Sequence, residues 1–395
     1  MNRIAVLLSG GVDSSVALLR LLEAGERDVT AFYLKVWLEE ELHGLAECPW
    51  QEDLAHARTV CAEAGVPLEV VPLQREYRER VVAYALDELR AGRTPSPDVL
   101  CNRRIKLGAF LEAAGGELGA VATGHYARTV ETPQGRRLAR SADPVKDQTY
   151  FLSQLTAGQL ARCRFPVGDL AKTEVRRLAR RWGLATAERP DSQGICFLGE
   201  IPFDAFVRFH LGERPGEIRE AGSGRVLGEH RGHWFYTLGQ RKGLGLSGGP
   251  WFVVEKELAT DTVWVVHADE LAGRAPDRFR VPAPHWIAGR PPAGLAAPPE
   301  RCHPLFRPLF RDLRVKVRHG PASPACRVEI GGDGGLAVCL EAPDPGLAPG
   351  QFAVFYDGDV CLGGGAMEPV PVLRRGRPST PATGRRGRAG SPPPR

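Results

Sequence analysis

The stretch Ser9-Gly10-Gly11-Val12-Asp13-Ser14 limits the possible folds of this chain more than any other. A short, largely apolar run over residues 3–8 precedes it, and residues 15–24 follow with the pattern of a helix that Gly25 can end. The two glycines let the backbone approach a ligand closely, and N–H groups at a helix start attract an anion. No Gly-Lys-Ser/Thr follows, so this is not a Walker-type loop. The stretch predicts a phosphate-binding corner between strand and helix, with a plain turn of small residues as the alternative.

Strand and helix patterns alternate in the first part of the chain. The predicted strands are residues 29–34, 68–73 and 118–123, and the predicted helices are residues 51–64, 75–91 and 98–114. This alternation predicts an α/β fold with an open parallel sheet and helices on both faces. Because ligands of such sheets bind beyond the carboxyl ends of the strands, we expect Ser9–Ser14, Leu34 and Gly124 at one site.

Residues 126–211 predict smaller elements. These are a hairpin at 126–141 that turns at Pro133-Gln134-Gly135, helices near 146–155 and 172–182, a loop at 191–199 and a helix at 203–211. Thr173 is the expected cap of the second helix, and Gly183 is its expected end.

The pattern changes near residue 215, where glycines become dense and period-two runs replace helical ones. The predicted strands are residues 251–255, 262–266, 313–317, 326–330, 336–340, 352–356 and 360–362. A Pro/Gly-rich linker is expected at 271–300, and residues 374–395 are expected to be disordered. The short strands predict a small β-barrel or sandwich. We therefore expect domains at 1–205, 206–275 and 276–370, followed by a tail at 371–395.

Composition narrows the class of protein. The length of 395 residues suits two or three domains. The nine cysteines are scattered and include no C-x-x-C pair, which indicates a reducing cytoplasm. No apolar run approaches a membrane span or a signal peptide. The net charge of +5 comes from the tail, because the residues before Arg374 carry 45 basic and 47 acidic side chains. Any nucleic-acid surface must therefore be a local patch.

Cys101 is the first candidate for thiol chemistry. The prolines of Thr94-Pro95-Ser96-Pro97 predict an extended approach, and Asp98 is placed to cap the helix that follows. Cys101 would then lie in the first helical turn, where the helix dipole and the basic residues of Arg103–Lys106 favour the thiolate. The alternative is a small buried cysteine, with Asp98 only as a cap.

Cys196 is the second candidate, because it lies in the glycine-flanked loop predicted at 191–199. Loops carry function more often than packing does, and a thiol on a loop can visit two sites. Taken alone, such a cysteine is more often inert than reactive.

Three further stretches suit a nucleic acid. Residues 146–151 combine a cation, an amide and an aromatic ring, which suits a phosphate and an unstacked base, or else form a solvated helix start. The glycine-spaced basic loop at 236–245 could contact a nucleic-acid backbone. The third is a basic strip, alternatively a solvated strand face: Arg307, Arg311, Arg314, Lys316, Arg318 and His319.

Six motifs occur in order along the chain: Ser-Gly-Gly-Val-Asp-Ser, Pro-Ser-Pro-Asp-Val-Leu-Cys-Asn-Arg, Ala-Thr-Gly-His-Tyr-Ala-Arg, Lys-Asp-Gln-Thr-Tyr-Phe-Leu, Ser-Gln-Gly-Ile-Cys-Phe and Tyr-Thr-Leu-Gly-Gln-Arg-Lys-Gly-Leu. The first resembles the pyrophosphatase loop of enzymes that cleave ATP between the α and β phosphates. Together, over about residues 3–365, they closely resemble the tRNA-specific 2-thiouridylase family, which thiolates the wobble uridine of certain tRNAs. The resemblance implies an adenine-nucleotide α-hydrolase-like (PP-loop) N-terminal domain, a small central domain and a C-terminal β-barrel.

The resemblance also implies roles for individual residues. Those that would hold ATP are Leu7, Leu8, Ser9, Gly10, Gly11, Val12, Asp13, Ser14, Leu34 and Gly124. Cys101 would be the nucleophile, Cys196 the carrier of persulfide sulfur, and Asp98 the acid/base. Those that would contact tRNA are Ser96, Pro97, Asp98, Lys146, Asp147, Gln148, Arg318 and His319, the first three at the target base. The family more often has Met, Asn and Tyr where this chain has Leu34, Ser96 and His319.

The implied reaction uses ATP and Mg²⁺. ATP adenylates the uracil C2 oxygen, a Cys196 persulfide delivers sulfur, and Cys101 forms a transient disulfide with Cys196 or releases hydrosulfide. A rival scheme places a 4Fe–4S cluster on Cys101 and Cys196, with Asp98 as a further ligand. The implied partners are the lysine, glutamate and glutamine tRNAs and a cysteine desulfurase or sulfur-relay protein, with no membrane.

Two other functions remain open from the residues themselves. The same loop serves adenylating ligases and amidotransferases, which need no pair of thiols. A non-catalytic RNA-binding module would have no use for Ser-Gly-Gly-Val-Asp-Ser.

Overall fold

The computed structural model describes residues 3–36, 50–115, 118–191, 202–292, 295 and 313–370. In chain order the strands are β1 (Arg3–Leu7), β2 (Val29–Lys35), β3 (Leu68–Pro72), β4 (Leu118–Thr123), β5 (Ala127–Thr132), β6 (Gly135–Arg140), β7 (Cys163–Arg164), β8 (Gly216–Glu220), β9 (Val226–His230), β10 (Trp251–Glu257), β11 (Thr262–His267), β12 (Arg278–Val281), β13 (His285–Trp286), β14 (Leu313–Lys316), β15 (Cys326–Ile330), β16 (Leu336–Leu340), β17 (Phe352–Asp357), β18 (Val360–Ala366) and β19 (Glu368–Pro369). The helices are Val12–Glu23, Trp50–Ala64, Gln74–Tyr77, Arg78–Val82, Ala83–Arg90, Pro97–Cys101, Asn102–Ala109, Phe110–Ala113, Thr149–Leu152, Ala157–Arg162, Lys172–Arg181, Phe203–Leu211, His233–Phe235 and Ala268–Leu271.

The N-terminal layer is a parallel sheet with the order β3-β2-β1-β4-β7. Alternate residues of β1 enter two separate cores: Ala5 and Leu7 lie in one, and Ile4 and Val6 in the other. Both faces of the sheet are therefore covered by helices, which confirms the predicted α/β fold. The edge strand β7 is only two residues long, and no sequence pattern indicated it.

The predicted hairpin at 126–141 forms as β5 and β6, but it leaves the N-terminal sheet. It joins a sheet with the order β14-β17-β18-β6-β5, where Cys361 pairs with Leu138 and Val360 with Ala139. Tyr356 from this sheet enters a hydrophobic core of the N-terminal domain. The N-terminal domain and the C-terminal barrel therefore share both a sheet and a core.

The central domain is a sheet with the order β10-β11-β8-β9 around a small core. The predicted hairpin over residues 251–266 is confirmed as β10 and β11. Strands β8 and β9 had no clear period in the sequence and were not predicted. The helix Phe203–Leu211, which was predicted, precedes this sheet.

The second barrel sheet has the order β15-β16-β12-β19. The strands predicted at 313–317, 326–330, 336–340, 352–356 and 360–362 are present as β14 to β18. The linker predicted at 271–300 is wrong in part, because strand β12 (Arg278–Val281) lies within it. All four residues of β12 pair with β16. Prolines and glycines flank β12 closely enough to mask its short apolar pattern.

Two predicted helix details are also wrong. Ala171, not Thr173, is the N-cap of the Lys172–Arg181 helix, and no side chain caps it. The helix expected near 146–155 is limited to Thr149–Leu152. The predicted loop beyond Asp191 and the tail at 374–395 lie outside the described residues. No helix in the described part of the chain is both long enough and apolar enough to span a membrane.

Candidate active site

The glycine-rich loop joins β1 to the Val12–Glu23 helix and is shaped by close backbone packing. Gly10 has a φ of +77°, and a Cβ atom there would lie 2.3 Å from the backbone oxygen of Asp53. Any side chain would therefore be strained and would collide at this position. Gly11 is the N-cap, and as a glycine it has no side chain to occupy the first N–H groups of the helix. This arrangement suits an anion at the helix start.

Serine side chains hold the loop against the helix. The Ser9 N–H donates to Ser14 Oγ at 3.2 Å, and Ser14 Oγ donates to the Gly11 carbonyl oxygen at 3.0 Å. Ser15 Oγ donates to the same carbonyl oxygen at 2.9 Å. The loop is therefore fixed by its own hydrogen bonds.

Asp13, the acidic residue of the loop, is held by two side chains from later in the chain. Lys172 Nζ lies 2.6 Å from Asp13 Oδ1 and 2.8 Å from Oδ2. Tyr126 OH donates to Asp13 Oδ1 at 2.7 Å. The carboxylate thus sits between a cation and a hydroxyl group at the mouth of the loop.

A second carboxylate, Asp191, shares Lys172. Lys172 Nζ and Arg176 Nη2 each lie 2.8 Å from Asp191 Oδ1, and Lys146 Nζ lies 2.5 Å from Oδ2. Burial raises the pKa of Asp191, but hydrogen bonds from Lys146 and Lys172 outweigh burial and hold the pKa below its usual value. Asp191 is therefore ionised at neutral pH. We call Asp13, Lys172, Asp191, Lys146 and Arg176 the loop network.

The loop network gathers three cations beside a helix N-terminus, with two carboxylates as their partners. Cations in such a place can exchange a carboxylate oxygen for a phosphate oxygen without crossing an apolar barrier. The site is therefore suited to an anion with several oxygens, such as a chain of phosphates.

The end of β4 closes the other side of the loop. A Cβ atom on Gly124 would lie 2.7 Å from the backbone nitrogen of Ser14, so glycine is required for this contact. His125 Nδ1 forms a hydrogen bond of 2.8 Å with Thr123 Oγ1. Burial and, to a smaller extent, the charge of Lys106 lower the pKa of His125 well below its usual value. The imidazole is therefore neutral.

The predicted ATP residues all lie at the carboxyl ends of the adjacent strands β2, β1 and β4, or in the loop and the first helical turn that follow β1. Four of them are apolar and buried: Leu7, Leu8, Val12 and Leu34. A nucleotide would therefore meet these four positions through their backbone atoms.

Cys101 lies on a helix that starts at Pro97 and continues beyond residue 101 as a π-helical segment. Ser96 is the N-cap and makes no side-chain cap, so the prediction that Asp98 caps this helix is wrong. Asp98 lies inside the first turn instead. Cys101 is fully buried, with 0% of its surface exposed. The sulfur is thus covered in this conformation.

An aromatic group connects this helix to the C-terminal barrel. Asn102 Nδ2 donates to the Phe151 carbonyl oxygen at 3.1 Å. The Phe151 ring stacks on His319 with centroids 4.6 Å apart, and the Tyr150 ring lies 6.3 Å from His319. The charge of Asp98 is among those that act on His319. The structure therefore brings His319 of the barrel close to the helix that carries Cys101.

The predicted tRNA-contacting residues Lys146, Asp147 and Gln148 do not share one surface. Lys146 belongs to the loop network, and Gln148 Oε1 accepts from the Tyr126 N–H at 2.9 Å. Asp147 is buried, and its Oδ2 lies 2.8 Å from Lys316 Nζ of the barrel. A tRNA contact by the Asp147 side chain would require this ion pair to open.

The predicted basic strip is wrong at its centre. Lys316 is buried against Asp147, while Arg314 is exposed and Arg318 forms an ion pair with Asp344. Alternation placed these side chains on one strand face, but the N-terminal domain covers the middle of that face. Arg307 and Arg311 lie outside the described residues.

The cysteines differ in how far the structure describes them. Cys61 and Cys326 are buried, and Cys339 is half-buried. Cys196 lies outside the described residues, so no distance to Cys101 follows. Within the ranges the structure covers, no group of three or more His, Cys, Asp or Glu side chains could hold a metal ion.

Lys172, Arg176, Asp191 and Tyr126 are residues of this site that sequence reasoning missed. One signal could have indicated Lys172, which occupies the first position of its helix. A lysine there opposes the helix dipole, so it needs a nearby anion to be stable. Tyr126 and Arg176 carry no such signal, because their roles depend on tertiary contacts with Asp13 and Asp191.

Comparison with known proteins gives three family models that match the chain in order. The tRNA methyl transferase HUP domain matches residues 2–200, the tRNA methyl transferase PRC-barrel domain matches 204–267, and the aminomethyltransferase beta-barrel domain matches 276–367.

Curated relatives match over nearly the whole chain. A tRNA-specific 2-thiouridylase of Bacteroides thetaiotaomicron is 42% identical over 92% of this chain and 99% of its own length. One from Geobacillus kaustophilus is 42% identical over 93% and 95%, respectively. One from Stenotrophomonas maltophilia is 40% identical over 96% and 97%.

Proposed function

Since the chain belongs to the tRNA-specific 2-thiouridylase family, we propose that it places sulfur on C2 of the wobble uridine of tRNA, with ATP as the activating substrate. The identity of 42% over 92% of the chain carries this function. An adenylating ligase or a non-catalytic RNA-binding module is not favoured, because the matched relatives are thiouridylases. The substrates we expect are the lysine, glutamate and glutamine tRNAs. The domains we propose for this function end at residues 205, 275 and 370.

The loop network supports a triphosphate site at the glycine-rich loop. Lys172 and Lys146 would exchange Asp13 and Asp191 for phosphate oxygens, and the backbone N–H groups at Gly11 would face the same anion. Mg²⁺ would arrive with the phosphates, since the carboxylate oxygens of Asp13 are hard ligands of the type it binds. Its part would be to neutralise charge on the departing pyrophosphate.

The first chemical step activates the uracil. Its C2 oxygen attacks the α-phosphorus of ATP, the bond from the α-phosphorus to the bridging oxygen breaks, and pyrophosphate leaves. The N3 proton passes to Asp98, which leaves AMP bonded to the C2 oxygen. C2 then carries a good leaving group in place of a carbonyl oxygen.

The second step transfers sulfur. The terminal sulfur of a Cys196 persulfide attacks C2, and AMP leaves. The Cys101 thiolate then attacks Sγ of Cys196, the S–S bond to the uracil sulfur breaks, and a Cys101–Cys196 disulfide remains. In a variant of this step, the Cys101 thiolate first attacks Sγ of the Cys196 persulfide, which displaces hydrosulfide and forms the disulfide. The hydrosulfide then attacks C2, and AMP leaves. A thiol reductant supplies the two electrons that restore both thiols. A reducing cytoplasm would provide such a reductant.

The burial of Cys101 adds one requirement. Because the residue is 0% exposed, its sulfur must be uncovered when tRNA enters. Exclusion of water from this region once tRNA is bound would protect the adenylated uracil from hydrolysis. A cysteine desulfurase or sulfur-relay protein would load the persulfide.

A 4Fe–4S route is the alternative for the sulfur step. It would use Cys101, Cys196 and a third ligand such as Asp98. Only Cys101 and Asp98 belong to the described residues, and these contain no group of three ligands that could hold a metal. We therefore derive no step through a cluster.

Thiouridine formation on unmodified tRNA tests this function. The reaction contains ATP, Mg²⁺, cysteine and a cysteine desulfurase, and compares the wild type with Cys101→Ser and Cys196→Ser, prepared in air and without oxygen. Cys339→Ser, at a half-buried barrel position, is the matched control. We expect full activity for the control and none for the other two variants.

Each other outcome has a defined meaning. Activity only in an anaerobic, iron-containing preparation would favour the cluster route. Pyrophosphate release without thiolation in any preparation would contradict the assignment and indicate another acceptor.

A further inference from the structure

The segment Gly92–Thr94 joins the helix that ends at Arg90 to the helix that carries Asp98 and Cys101. Within this segment, Thr94 makes a hydrogen bond to each of the other two domains. We propose that Thr94 is a positioning residue, through which the central domain and the barrel set the place of Asp98 and Cys101. This inference rests on the thiolation function proposed above.

Hydrogen bonds connect Thr94 to both domains. Its backbone N–H donates to the Pro349 carbonyl oxygen of the barrel at 2.7 Å. Its Oγ1 donates to Thr237 Oγ1 of the central domain at 3.2 Å. One residue of the N-terminal domain thus carries a direct bond to each of the other two.

Backbone packing leaves little room for movement around these bonds. Gly350 has a φ of +89°, and a Cβ atom there would lie 2.8 Å from the Thr94 carbonyl oxygen and 2.9 Å from Arg93 Cβ. A Cβ atom on Gly239 would lie 2.9 Å from the Pro345 carbonyl oxygen. The loops of the two domains therefore contact each other as well as the segment.

The segment is stiff on its upstream side. The guanidinium group of Arg93 bonds both carboxylate oxygens of Glu88, with Nε at 2.7 Å and Nη2 at 2.5 Å. The Arg93 N–H also donates to the Glu88 carbonyl oxygen at 2.8 Å. Thr94 cannot shift toward the preceding helix without breaking these bonds.

The downstream side is stiff as well. Pro95 and Pro97 fix their own φ angles, and each proline also restricts the residue before it. Pro97 is the first residue of the helix that contains Asp98 and Cys101. A displacement of Thr94 is therefore passed to that helix start and is not absorbed on the way.

Thr237 is connected by hydrogen bonds to an exposed basic loop that is suited to RNA. Its N–H donates to Gln240 Oε1 at 2.9 Å, and Gln240 Nε2 donates to the Lys242 carbonyl oxygen at 3.0 Å. Arg241 and Lys242 are exposed on the same loop. Phosphate contacts made by this loop act on Thr237 and, through its hydroxyl group, on Thr94.

Single and double valine substitutions at Thr94 and Thr237 test this connection. Valine keeps the branched shape and the backbone N–H and removes only the hydroxyl group. We expect Thr94→Val and Thr237→Val each to lower kcat for thiolation about fivefold, the value of one neutral hydrogen bond. The Kd values for tRNA and ATP should stay within about twofold of wild type. The double variant should be no slower than either single variant, because both remove the same bond.

Two further variants complete the test. Thr94→Ser keeps the hydroxyl group and should restore kcat. Thr132→Val removes the exposed Thr132 hydroxyl, which donates to Gly135 O at 2.7 Å in the β5–β6 hairpin, and should leave kcat unchanged. Thermal unfolding shows whether each variant is folded.

Unchanged kcat in both single variants, additive losses in the double variant, or a loss confined to tRNA affinity would each overturn the role of Thr94. These outcomes are distinct from failure of the function itself, in which the wild type forms no thiouridine.

Discussion

Lys146 and Asp147 are neighbours in sequence but belong to two opposite kinds of ion pair. Lys146 pairs with Asp191 in the loop network, where the two side chains are 37% and 25% exposed. Asp147 pairs with Lys316 at the contact between the N-terminal domain and the barrel, where the two side chains are 3% and 1% exposed. The chemistry of the two pairs is the same, and only the surroundings differ.

The surroundings decide what each pair can do. Water near Asp191 screens its attraction for Lys146 and lets the lysine change partners at small cost. The Asp147–Lys316 pair is buried, so separating the two side chains would leave each charge away from water and without its partner. Two other groups lie close to the buried pair. Arg140 Nη1 lies 3.7 Å from Asp147 Oδ2, and the centroid of the Tyr356 ring lies 5.6 Å from Lys316 Nζ. The first pair suits ligand exchange, and the second holds two domains together.

Breaking the buried pair is expected to have the largest effect. Lys316→Met would remove the lysine partner of the buried Asp147 carboxylate and leave it with Arg140 and the hydrogen bonds from Ser141 and Thr149. This change should lower the free energy of unfolding by about 3–5 kcal/mol. Urea denaturation would measure this, with the exposed Lys242→Met as the control. A second change, Asp147→Leu in the same chain, should recover much of the loss. A loss below about 1 kcal/mol would show that the two regions do not differ as described.

Removing the shared cation of the loop network should affect binding instead. Lys172→Met loses charged hydrogen bonds worth about 1.5–3 kcal/mol, so the Kd for a non-hydrolysable ATP analogue should rise about 10- to 100-fold. Calorimetric titration would measure this value. Lys172→Arg retains the charge and should keep most of the affinity. Equal affinities in wild type and Lys172→Met would contradict the exchange of Asp13 for phosphate.

Removing the shared carboxylate should have a smaller effect of opposite sign. Asp191→Asn frees Lys146 and Lys172 from one competitor, so both tRNA and the ATP analogue should bind about two- to fivefold more tightly, as for a partly exposed ion pair. Filter binding at fixed salt concentration would measure the tRNA affinity. Glu174→Gln, which breaks the exposed Glu174–Arg177 pair on the adjacent helix, is the control. Weaker binding by Asp191→Asn would show that Asp191 orients the lysines and does not compete for them.

The pH dependence of stability should show the smallest difference. The pKa of Asp191 is held below its usual value of 3.8, so its ion pairs stabilise the fold above that pH and are lost as pH falls through the lower, folded-state pKa. Wild type should therefore lose more stability than Asp191→Asn between about pH 5 and pH 2.5. Urea midpoints across this range would measure the difference. Parallel pH profiles would mean that the network adds nothing to stability.

Much of the N-terminal fold could be predicted because its central strands β2, β1 and β4 are buried on both faces. Apolar runs at β1, β2 and β4 identify such strands, and Gly25, Gly65 and Gly183 end helices with positive φ angles. The two-residue strand β7 has no room for a period. Pairing between β6 and β18 depends on which edges meet in space, and neither strand encodes its partner.

The candidate site divides in the same way. The Ser9–Ser14 motif is local, so its position at a strand–helix corner followed from the sequence. Lys172 and Lys316 acquire their roles only from carboxylates that are distant in the chain. Alternation correctly placed Lys316 on the face of β14 opposite its barrel core, but it could not show that Asp147 covers that face.

The pairing of β6 with β18 has a consequence for how the chain is made. The hairpin that contains β6 is synthesised well before β18, so the barrel sheet closes over more than two hundred residues of intervening chain. Contacts of such long range form slowly. A barrel produced without the N-terminal part would present the unpaired edge of β18 to other molecules, where strands add readily. The hairpin covers this edge of β18, and because it precedes β18 in the chain it can be in place before β18 is made.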